Sequence, residues 1–343
     1  MSKVITETEG KLNEHQIRPP EAMRGQRIAL LTDIGRLLSR RKEFIDVNCP
    51  ACGSNSSNRK FEKFGLGYEE CRECSTMFVT PRPSPEVLKW FYHGSENYAY
   101  WNEHIFPASE KARRERIMVP RVNKVLELCQ KYNVNMDSLL EVGAGFGTFC
   151  EELKSRSLFK RVVAVEPTPD LARTCTVKGI ETIQKPIEEI AFSNSSEFSV
   201  VVSFEVMEHL FSPRDFVTSI FLLLHPGGLL VLSCPNGEGF DVQTLGPLSD
   251  TVDHEHINYF NTKSLPILLA DCGYEVLETS TPGRLDAELV RNKILGGTYD
   301  LDGQPFLKRV LLEEWEQLGD GFQKYLIDQG LSSNMWVVAR KTL

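Results

Sequence analysis

The second part of the chain predicts an α/β fold with a mostly parallel sheet and helices on both faces. From Ser138 onward, short apolar runs typical of strands alternate with helix-compatible segments, the order in which crossover helices join parallel strands. A glycine-rich turn follows the first strand, and Glu166 closes the second about twenty residues later. These observations place a ligand site beyond the carboxyl ends of the strands, where open sheets of this kind bind ligands.

The predicted elements follow in regular order along this part of the chain. Apolar runs predict seven strands, at 138–142, 161–166, 181–184, 198–203, 228–233, 274–279 and 334–340. The segments between them predict helices near 147–156, 169–177, 212–224 and 263–272, and a longer helical segment at 305–328. Seven strands with this spacing predict one sheet that ends in a hairpin-like return.

Composition changes divide the chain into four predicted parts. Residues 1–46 form an N-terminal arm and an amphipathic helix, because apolar side chains between Glu21 and Arg41 recur at helical spacing. Residues 47–83 form a small cysteine-rich unit, and residues 84–135 form an aromatic and helical connector that caps the ligand site. Residues 136–343 form the α/β domain, with a helical insertion near 285–332.

Four of the nine cysteines form a metal-binding pattern. The two Cys-x-x-Cys pairs are separated by eighteen residues, which is within the range of four-thiolate zinc sites. The pattern predicts that residues 47–83 form a zinc ribbon. A ribbon of this size needs a metal to stabilise it, so structural zinc is favoured over a redox dithiol or a chance pairing. The predicted ligands are Cys49, Cys52, Cys71 and Cys74.

Charge and hydropathy exclude several classes of protein. A net charge of −8 argues against a nucleic-acid substrate, since phosphate binding depends on clustered lysine and arginine. One local basic group, at Lys111, Arg113, Arg114 and Arg116, could instead reach a phosphorylated substrate. No apolar run is long enough to span a membrane, and the N-terminus lacks the features of a secretory signal. Together with the reduced cysteines, this predicts a cytoplasmic protein.

The glycine-rich turn carries the most specific signal. Glu141 is followed by Gly143, Gly145 and Gly147, each two residues apart. The dinucleotide-binding fingerprint requires a glycine three residues after the second, where this chain has Thr148. The observed pattern resembles the first motif of the class I S-adenosylmethionine-dependent methyltransferases. That resemblance implies a Rossmann-like seven-stranded sheet and S-adenosylmethionine as the cofactor.

The same resemblance implies roles for residues at the strand ends. Glu166 would bind both ribose hydroxyls of the cofactor. Lys185 stands where the family often has an acid for the adenine amine, so adenine contact would fall to Pro186 and Ile187. The predicted cofactor-binding set is Glu141, Gly143, Gly145, Gly147, Glu166, Pro186, Ile187, Phe204, Glu205 and Tyr98. Tyr98 has two interpretations of equal weight, ligand binding and packing of the ribbon against the core.

The end of the fourth strand narrows the acceptor class. Its sequence, Glu205-Val-Met-Glu-His-Leu210, resembles the small-molecule methyltransferases of ubiquinone biosynthesis and sugar modification. With the cysteine pairs and the Tyr-Ala-Tyr-Trp connector, it resembles the C- and O-methyltransferases of deoxysugar, antibiotic and surface-polysaccharide pathways. That group places a tyrosine where this chain has Asp253, which favours O-methylation over C-methylation.

Residues 253–256, Asp-His-Glu-His, are the candidate for acceptor chemistry. Histidine titrates near neutrality, so His256 is predicted to be the general base, with His209 as the second choice and Glu255 as an orienting acid. Two alternatives remain open for this segment: a surface loop of polar residues, and a catalytic metal site.

The predicted function is methyl transfer to a sugar or a nucleotide-linked sugar. Two alternatives are an RNA methyltransferase that binds nucleic acid through its zinc ribbon, and a non-catalytic partner protein that binds S-adenosylmethionine. The sequence does not specify the acceptor atom, the oligomeric state or the role of the 285–332 insertion.

Overall fold

The computed structural model describes residues 12–190 and 196–342, so part of the predicted N-terminal arm lies outside the described residues. Within these ranges the helices are α1 Glu14–Ile17, α2 Pro20–Ser39, α3 Pro85–His93, α4 Glu96–Tyr100, α5 Phe106–Arg113, α6 Val119–Lys131, α7 Thr148–Ser155, α8 Pro169–Val177, α9 Pro213–Leu223, α10 Phe240–Leu245, α11 Ser264–Asp271, α12 Asp286–Leu295, α13 Pro305–Lys308 and α14 Trp315–Asp328. The strands are β1 Phe44–Ile45, β2 Ser57–Lys63, β3 Leu66–Cys71, β4 Met77–Val79, β5 Arg82–Pro83, β6 Ser138–Val142, β7 Arg161–Val165, β8 Glu181–Ile183, β9 Phe198–Phe204, β10 Leu224–Pro235, β11 Asn258–Tyr259, β12 Tyr274–Ser280 and β13 Asn334–Lys341.

A seven-stranded sheet forms the centre of the fold, in the order β12-β13-β10-β9-β6-β7-β8. β13 runs antiparallel to both of its neighbours, and the pairs among β10, β9, β6, β7 and β8 are parallel. Strand β9 is buried along its whole length, as expected for a parallel strand that is covered on both faces. The predicted α/β fold with a mostly parallel sheet is confirmed.

Two apolar clusters cover the two faces of this sheet. One contains side chains of α6 and α7, and the other contains side chains of α9 and α11. The cysteine-rich segment packs into the second cluster, where Cys49, Ala51, Cys71, Cys74 and Phe78 are buried. The cysteine-rich unit therefore shares a core with the α/β domain.

A second sheet joins the cysteine-rich segment to a distant part of the chain. Its strand order is β11-β4-β3-β2, and β11 pairs antiparallel with β4 through Asn258 and Phe78. Nearby, the side-chain amide of Asn261 donates to the carbonyl of Cys74 at 2.9 Å. Because β11 begins two residues after His256, the cysteine segment directly positions the predicted histidine segment.

The N-terminal helix α2 docks on the connector through a buried acid. Asp33 is fully buried and accepts hydrogen bonds from the Ser95 hydroxyl at 2.6 Å and from the backbone N–H of Asn97 at 2.9 Å. Gln26, about two turns earlier on the same face of α2, donates to the side-chain oxygen of Asn97 at 2.8 Å. These bonds fix the start of α4 and the aromatic residues that follow it.

The structure differs from the predicted elements mainly in the insertion. The predicted helical segment 305–328 is divided into α13 and α14, with a π-helical turn at Arg309–Glu313 between them. Ala287 and Val290 of α12 pack against Val310 and Leu311 of that turn. Helix α12 lies within the predicted helical insertion near 285–332, and burial against this turn stabilises it. None of the helices in the described ranges is both long and apolar enough to cross a membrane.

Candidate functional site

The glycine-rich loop connects β6 to α7, and its three glycines all have positive φ, at 81°, 55° and 67°. A β-carbon on Gly143 would lie 2.4 Å from a methyl group of Val206, and one on Gly147 would lie 2.7 Å from Ile180. A β-carbon on Gly145 would meet nothing within 4 Å, because this residue faces open space. The outer two glycines therefore allow packing, and Gly145 leaves the backbone accessible to a ligand.

Glu166 lies directly beside this loop, after the end of β7. Its carboxylate accepts hydrogen bonds from the backbone N–H of Gly145 at 2.8 Å and from that of Thr168 at 2.9 Å. The residue is only 5% exposed, and burial raises its pKa above the usual range of a glutamate. Two backbone donors thus hold a buried carboxylate next to the exposed face of Gly145.

One cavity of about 1680 Å³ collects most of the residues that the sequence singled out. Its wall includes cofactor-site and acceptor-site candidates from both halves of the chain: Tyr98, Gly143, Gly145, Glu166, Pro186, Ile187, Glu205, His209, Glu255 and His256. The glycine loop, the ends of β7 and β9, and the histidine segment therefore open into a common space.

Three of the predicted cofactor-binding residues do not line this cavity. Glu141 lies in the interior of β6, where it accepts a hydrogen bond from the Cys150 thiol at 3.0 Å and burial raises its pKa to about 8. Phe204 packs against Phe149, with its ring centroid 5.2 Å away. Gly147 faces Ile180 instead of the open space. These three residues therefore pack in the interior, beside the glycine loop, and do not face the cavity.

Glu205 has an unusual backbone at the carboxyl end of β9. Its φ is 57°, a conformation that residues other than glycine rarely adopt. Its carboxylate accepts hydrogen bonds from Ser233 at 2.5 Å, Asn334 at 3.0 Å and Arg121 at 3.1 Å. Three donors from separate elements thus hold this acid at the cavity wall.

The histidine segment is a tightly folded loop, and the interpretation of it as a surface loop is wrong. His254 and Glu255 are 2% and 8% exposed. One carboxylate oxygen of Asp253 accepts hydrogen bonds from the backbone N–H of both Glu255 and His256 at 2.9 Å. The aspartate thus folds the loop through its carboxylate, a role that a tyrosine at this position could not fill.

His209 and His256 pack against each other in the cavity wall, with their ring centroids 4.7 Å apart. Nδ1 of His256 lies 2.8 Å from the carbonyl oxygen of Thr251, and Nδ1 of His209 lies 3.2 Å from that of Glu255. Burial lowers the pKa of His209 to about 3, so its ring is neutral at physiological pH. Backbone carbonyls thus hold both rings in orientation, and the Tyr92 hydroxyl also lies 3.2 Å from Nδ1 of His209.

The carboxylate of Glu255 is held by the connector. It accepts a hydrogen bond from the side-chain amide of Asn97 at 2.8 Å, and burial raises its pKa to about 8. No spacing or periodicity in the sequence predicts this partner, since Asn97 lies 158 residues away and is itself held by Gln26. The N-terminal helix therefore contributes indirectly to the site.

The four predicted metal-ligand cysteines converge in the structure. Cys49 and Cys74 have their sulfur atoms 3.5 Å apart, those of Cys52 and Cys71 are 3.6 Å apart, and all four lie within 4.8 Å of one another. These separations are far longer than a disulfide bond of about 2.05 Å. A tetrahedral zinc with bonds of about 2.3 Å needs sulfur atoms about 3.8 Å apart, so this set fits that ion.

The local basic group is divided between two environments. Arg114 pairs with Glu151 and Glu152 of α7, both at 2.5 Å. Arg113 instead lines the cavity, with its guanidinium 4.7 Å from the centre of the Phe106 ring, and burial lowers its pKa to about 10. Only Arg113 is thus placed to meet a cavity ligand.

The chain is similar to known methyltransferases. Residues 110–279 match the family model described as "Methyltransferase domain". The C-methyltransferase NovU of Streptomyces niveus is 26% identical over 226 residues, which cover 64% of this chain and 48% of that protein. The ubiquinone biosynthesis O-methyltransferase of Xanthomonas oryzae pv. oryzae is 30% identical over 104 residues, covering 29% and 43% respectively. This chain spans less than half the length of either relative.

Among solved structures, one similar chain is a putative sarcosine dimethylglycine methyltransferase from Galdieria sulphuraria. It is 17% identical, with 70% of this chain and 89% of that chain covered, at a TM-score of 0.45. The sheet order, the glycine loop and the match over residues 110–279 lead to one conclusion. The chain carries an S-adenosylmethionine-dependent methyltransferase domain of the class I fold.

Proposed function

We propose that this protein transfers a methyl group from S-adenosylmethionine to a small-molecule acceptor, a sugar or a nucleotide-linked sugar. The observation that carries the proposal is the single cavity, which joins the glycine loop and Glu166 to His209, Glu255 and His256. Its volume of about 1680 Å³ exceeds the usual range of roughly 300–1,000 Å³ for one small ligand, so a cofactor and an acceptor fit together.

The cofactor half of the cavity suits a nucleoside with an attached amino acid. Gly145 allows close approach, and Glu166 would accept hydrogen bonds from the ribose hydroxyls with its remaining lone pairs. Pro186 and Ile187 offer an apolar wall for adenine, and Glu188, which also lines the cavity, is an acid close to where the family often has one. The carboxyl end of β9, with Glu205, would lie near the sulfonium.

The acceptor half supplies groups that can remove a proton. We assign His256 as the general base and His209 as the second choice, with Glu255 as the residue that orients His209. Nδ1 of each histidine faces a backbone carbonyl, so the other ring nitrogen keeps its lone pair. The carbonyl of Glu255, rather than its carboxylate, orients His209. Methyl transfer also requires in-line placement of the acceptor, which these fixed rings would favour.

The acceptor class draws support from the relatives and from the cavity. The relatives bear the names of a C-methyltransferase and of an O-methyltransferase of ubiquinone biosynthesis. The net charge of −8 disfavours an RNA acceptor. Arg113, in the cavity wall, would favour an acceptor that carries a phosphate.

Glu166→Ala tests the cofactor half. Hydrogen bonds to a charged group contribute roughly 1.5–3 kcal/mol, so the variant should bind S-adenosylmethionine about tenfold to hundredfold more weakly by calorimetry. Glu189→Ala is the control, because Glu189 is exposed and pairs only loosely with Lys89, at 3.7 Å. Unchanged affinity in Glu166→Ala would remove the ribose assignment.

We also propose that Cys49, Cys52, Cys71 and Cys74 hold one structural zinc ion. Four thiolates close the coordination sphere, so the ion would stabilise the fold and leave no position for a substrate. Because the cysteine segment pairs with β11, the ion would also hold the histidine segment in place.

Metal analysis of the purified chain should find zinc bound to wild-type protein. Cys71→Ser should lose the ion and lower the yield of soluble protein, since metal binding contributes to folding in such sites. Cys272→Ser is the matched control, because Cys272 lies outside the cluster and is only half-buried. Zinc-free native protein, or a disulfide between any two of the four cysteines, would contradict this assignment.

A further inference from the structure

We propose that Glu208, His209 and His256 form a second metal site, which binds a divalent first-row transition-metal cation at the acceptor side of the cavity. One carboxylate oxygen of Glu208 and one ring nitrogen of each histidine lie within 4.8 Å of one another. The binding stands on this geometry alone, whereas its role in methyl transfer rests on the proposed function.

The hydrogen bonds of both histidines prepare them as ligands. Nδ1 of His209 and Nδ1 of His256 each face a backbone carbonyl, of Glu255 and Thr251 respectively. A carbonyl only accepts, so an Nδ1 that bonds to it carries the ring proton, which leaves Nε2 with the free lone pair; at His209 the Tyr92 hydroxyl also lies 3.2 Å from Nδ1. Metal-binding histidines almost always have this arrangement, in which the other ring nitrogen donates to a carbonyl or carboxylate.

Glu208 supplies the third lone pair. The residue is 1% exposed, and its Oε2 atom is buried without a hydrogen-bond partner among the described residues. A buried carboxylate oxygen without a partner is costly and calls for a positive group. A divalent cation at this place would accept lone pairs from Glu208 and from both imidazoles, whose candidate ligand atoms lie within 4.8 Å of one another.

The donor set defines the class of ion. Two imidazoles and one carboxylate suit zinc, iron, cobalt, nickel or manganese, and a site with three protein ligands keeps positions open for another molecule. His209 and His256 both line the cavity, so an acceptor oxygen could occupy an open position. A bound ion would then make that oxygen more acidic.

Ion binding and proton transfer are alternative uses of the same nitrogen. A nitrogen that gives its lone pair to a cation cannot accept a proton, so the base assignment of His256 describes the ion-free site. In an ion-loaded site, His256 would be a ligand, and the ion would make the acceptor more acidic.

Cobalt titration of the metal-stripped full chain distinguishes the two sites. Cobalt at the cysteine cluster gives thiolate charge-transfer absorption, whereas cobalt at a histidine–carboxylate site does not. We expect wild type to bind one equivalent with that absorption and a further equivalent without it. Glu208→Gln and His256→Ala should each bind the second equivalent at least about tenfold more weakly, with the thiolate absorption unchanged.

His225→Ala is the control, because His225 is exposed and lies outside the cluster, and it should bind both equivalents. Two results would overturn the proposal: a wild-type chain that binds only the thiolate-linked cobalt, or full retention of the second equivalent in both variants. Calorimetry with S-adenosylmethionine on the same samples separates this outcome from the proposed function. If the chain binds S-adenosylmethionine normally but does not bind the second cobalt ion, the proposed metal site is ruled out and the methyltransferase assignment stands.

Discussion

His256→Ala should lose most methyl transfer while binding S-adenosylmethionine as tightly as wild type does. Removal of a general base typically lowers turnover by about 10²–10⁴, and loss of a metal ligand should lower it as well, so both roles of His256 predict this result. Cofactor affinity should not change, because the imidazole lies on the acceptor side, with its Nδ1 held by the carbonyl of Thr251. The measurement is single-turnover transfer of labelled methyl to an accepted sugar, alongside calorimetry.

His225→Ala provides the control and should keep wild-type turnover, since this exposed histidine lies outside the cavity wall. If His256→Ala turns over within a few fold of wild type and His209→Ala does not, the two histidines exchange roles. If neither substitution matters, the enzyme works by positioning alone, and the acceptor must already be deprotonated or strongly nucleophilic.

Gly145→Leu should abolish binding of S-adenosylmethionine. The substitution has two effects: a leucine at φ 55° is strained, and its side chain would enter the cavity where the cofactor must approach the backbone. We expect no detectable heat in a calorimetric titration that gives micromolar affinity for wild type.

Gly246→Leu separates these two effects. Gly246 has a φ of 53° and, like Gly145, open space around its missing β-carbon, but it lies outside the cavity wall. A leucine at this positive φ is also strained, and this variant should retain cofactor binding. Equal affinity in Gly145→Leu and wild type, with both folded, would show that the loop is not the cofactor site.

Local sequence patterns predicted the central sheet well. Strand β6 and helix α8 occupy the predicted residues 138–142 and 169–177, because buried parallel strands are continuous apolar runs and crossover helices are strongly periodic. Strand β10 begins earlier than predicted, at Leu224. The reason is that Leu224 pairs with Phe198 before an irregular segment that contains Pro226 and two glycines.

The candidate site was less predictable wherever it depends on contacts between distant segments. Gly143 and Gly145 of the glycine motif line the cavity, as a local pattern could predict. The contacts of Glu255 with Asn97, and of Glu205 with Arg121, join residues 158 and 84 positions apart. No periodicity or spacing encodes such pairs, and the pairing of β11 with β4 is equally nonlocal.

Residues 253–256 are not an extended segment whose side chains alternate between two faces. In an extended strand, Glu255 would point away from His254 and His256. The carboxylate of Asp253 instead folds the segment into a loop, so Glu255 and His256 both line the cavity and His254 is buried between Phe64 and Phe91. A side-chain hydrogen bond to the backbone overrides strand geometry here.

Transfer of a labelled methyl group tests the central claim most directly. Full-length wild type and Gly145→Leu would be incubated with S-adenosylmethionine labelled in its methyl group, together with a panel of nucleotide-linked sugars and keto-sugars. Bulk transfer RNA would be tested in parallel. We predict that wild type places the label on at least one sugar and none on RNA, and that Gly145→Leu labels nothing. Label on RNA, or cofactor binding without transfer to any member of the panel, would contradict the proposed function.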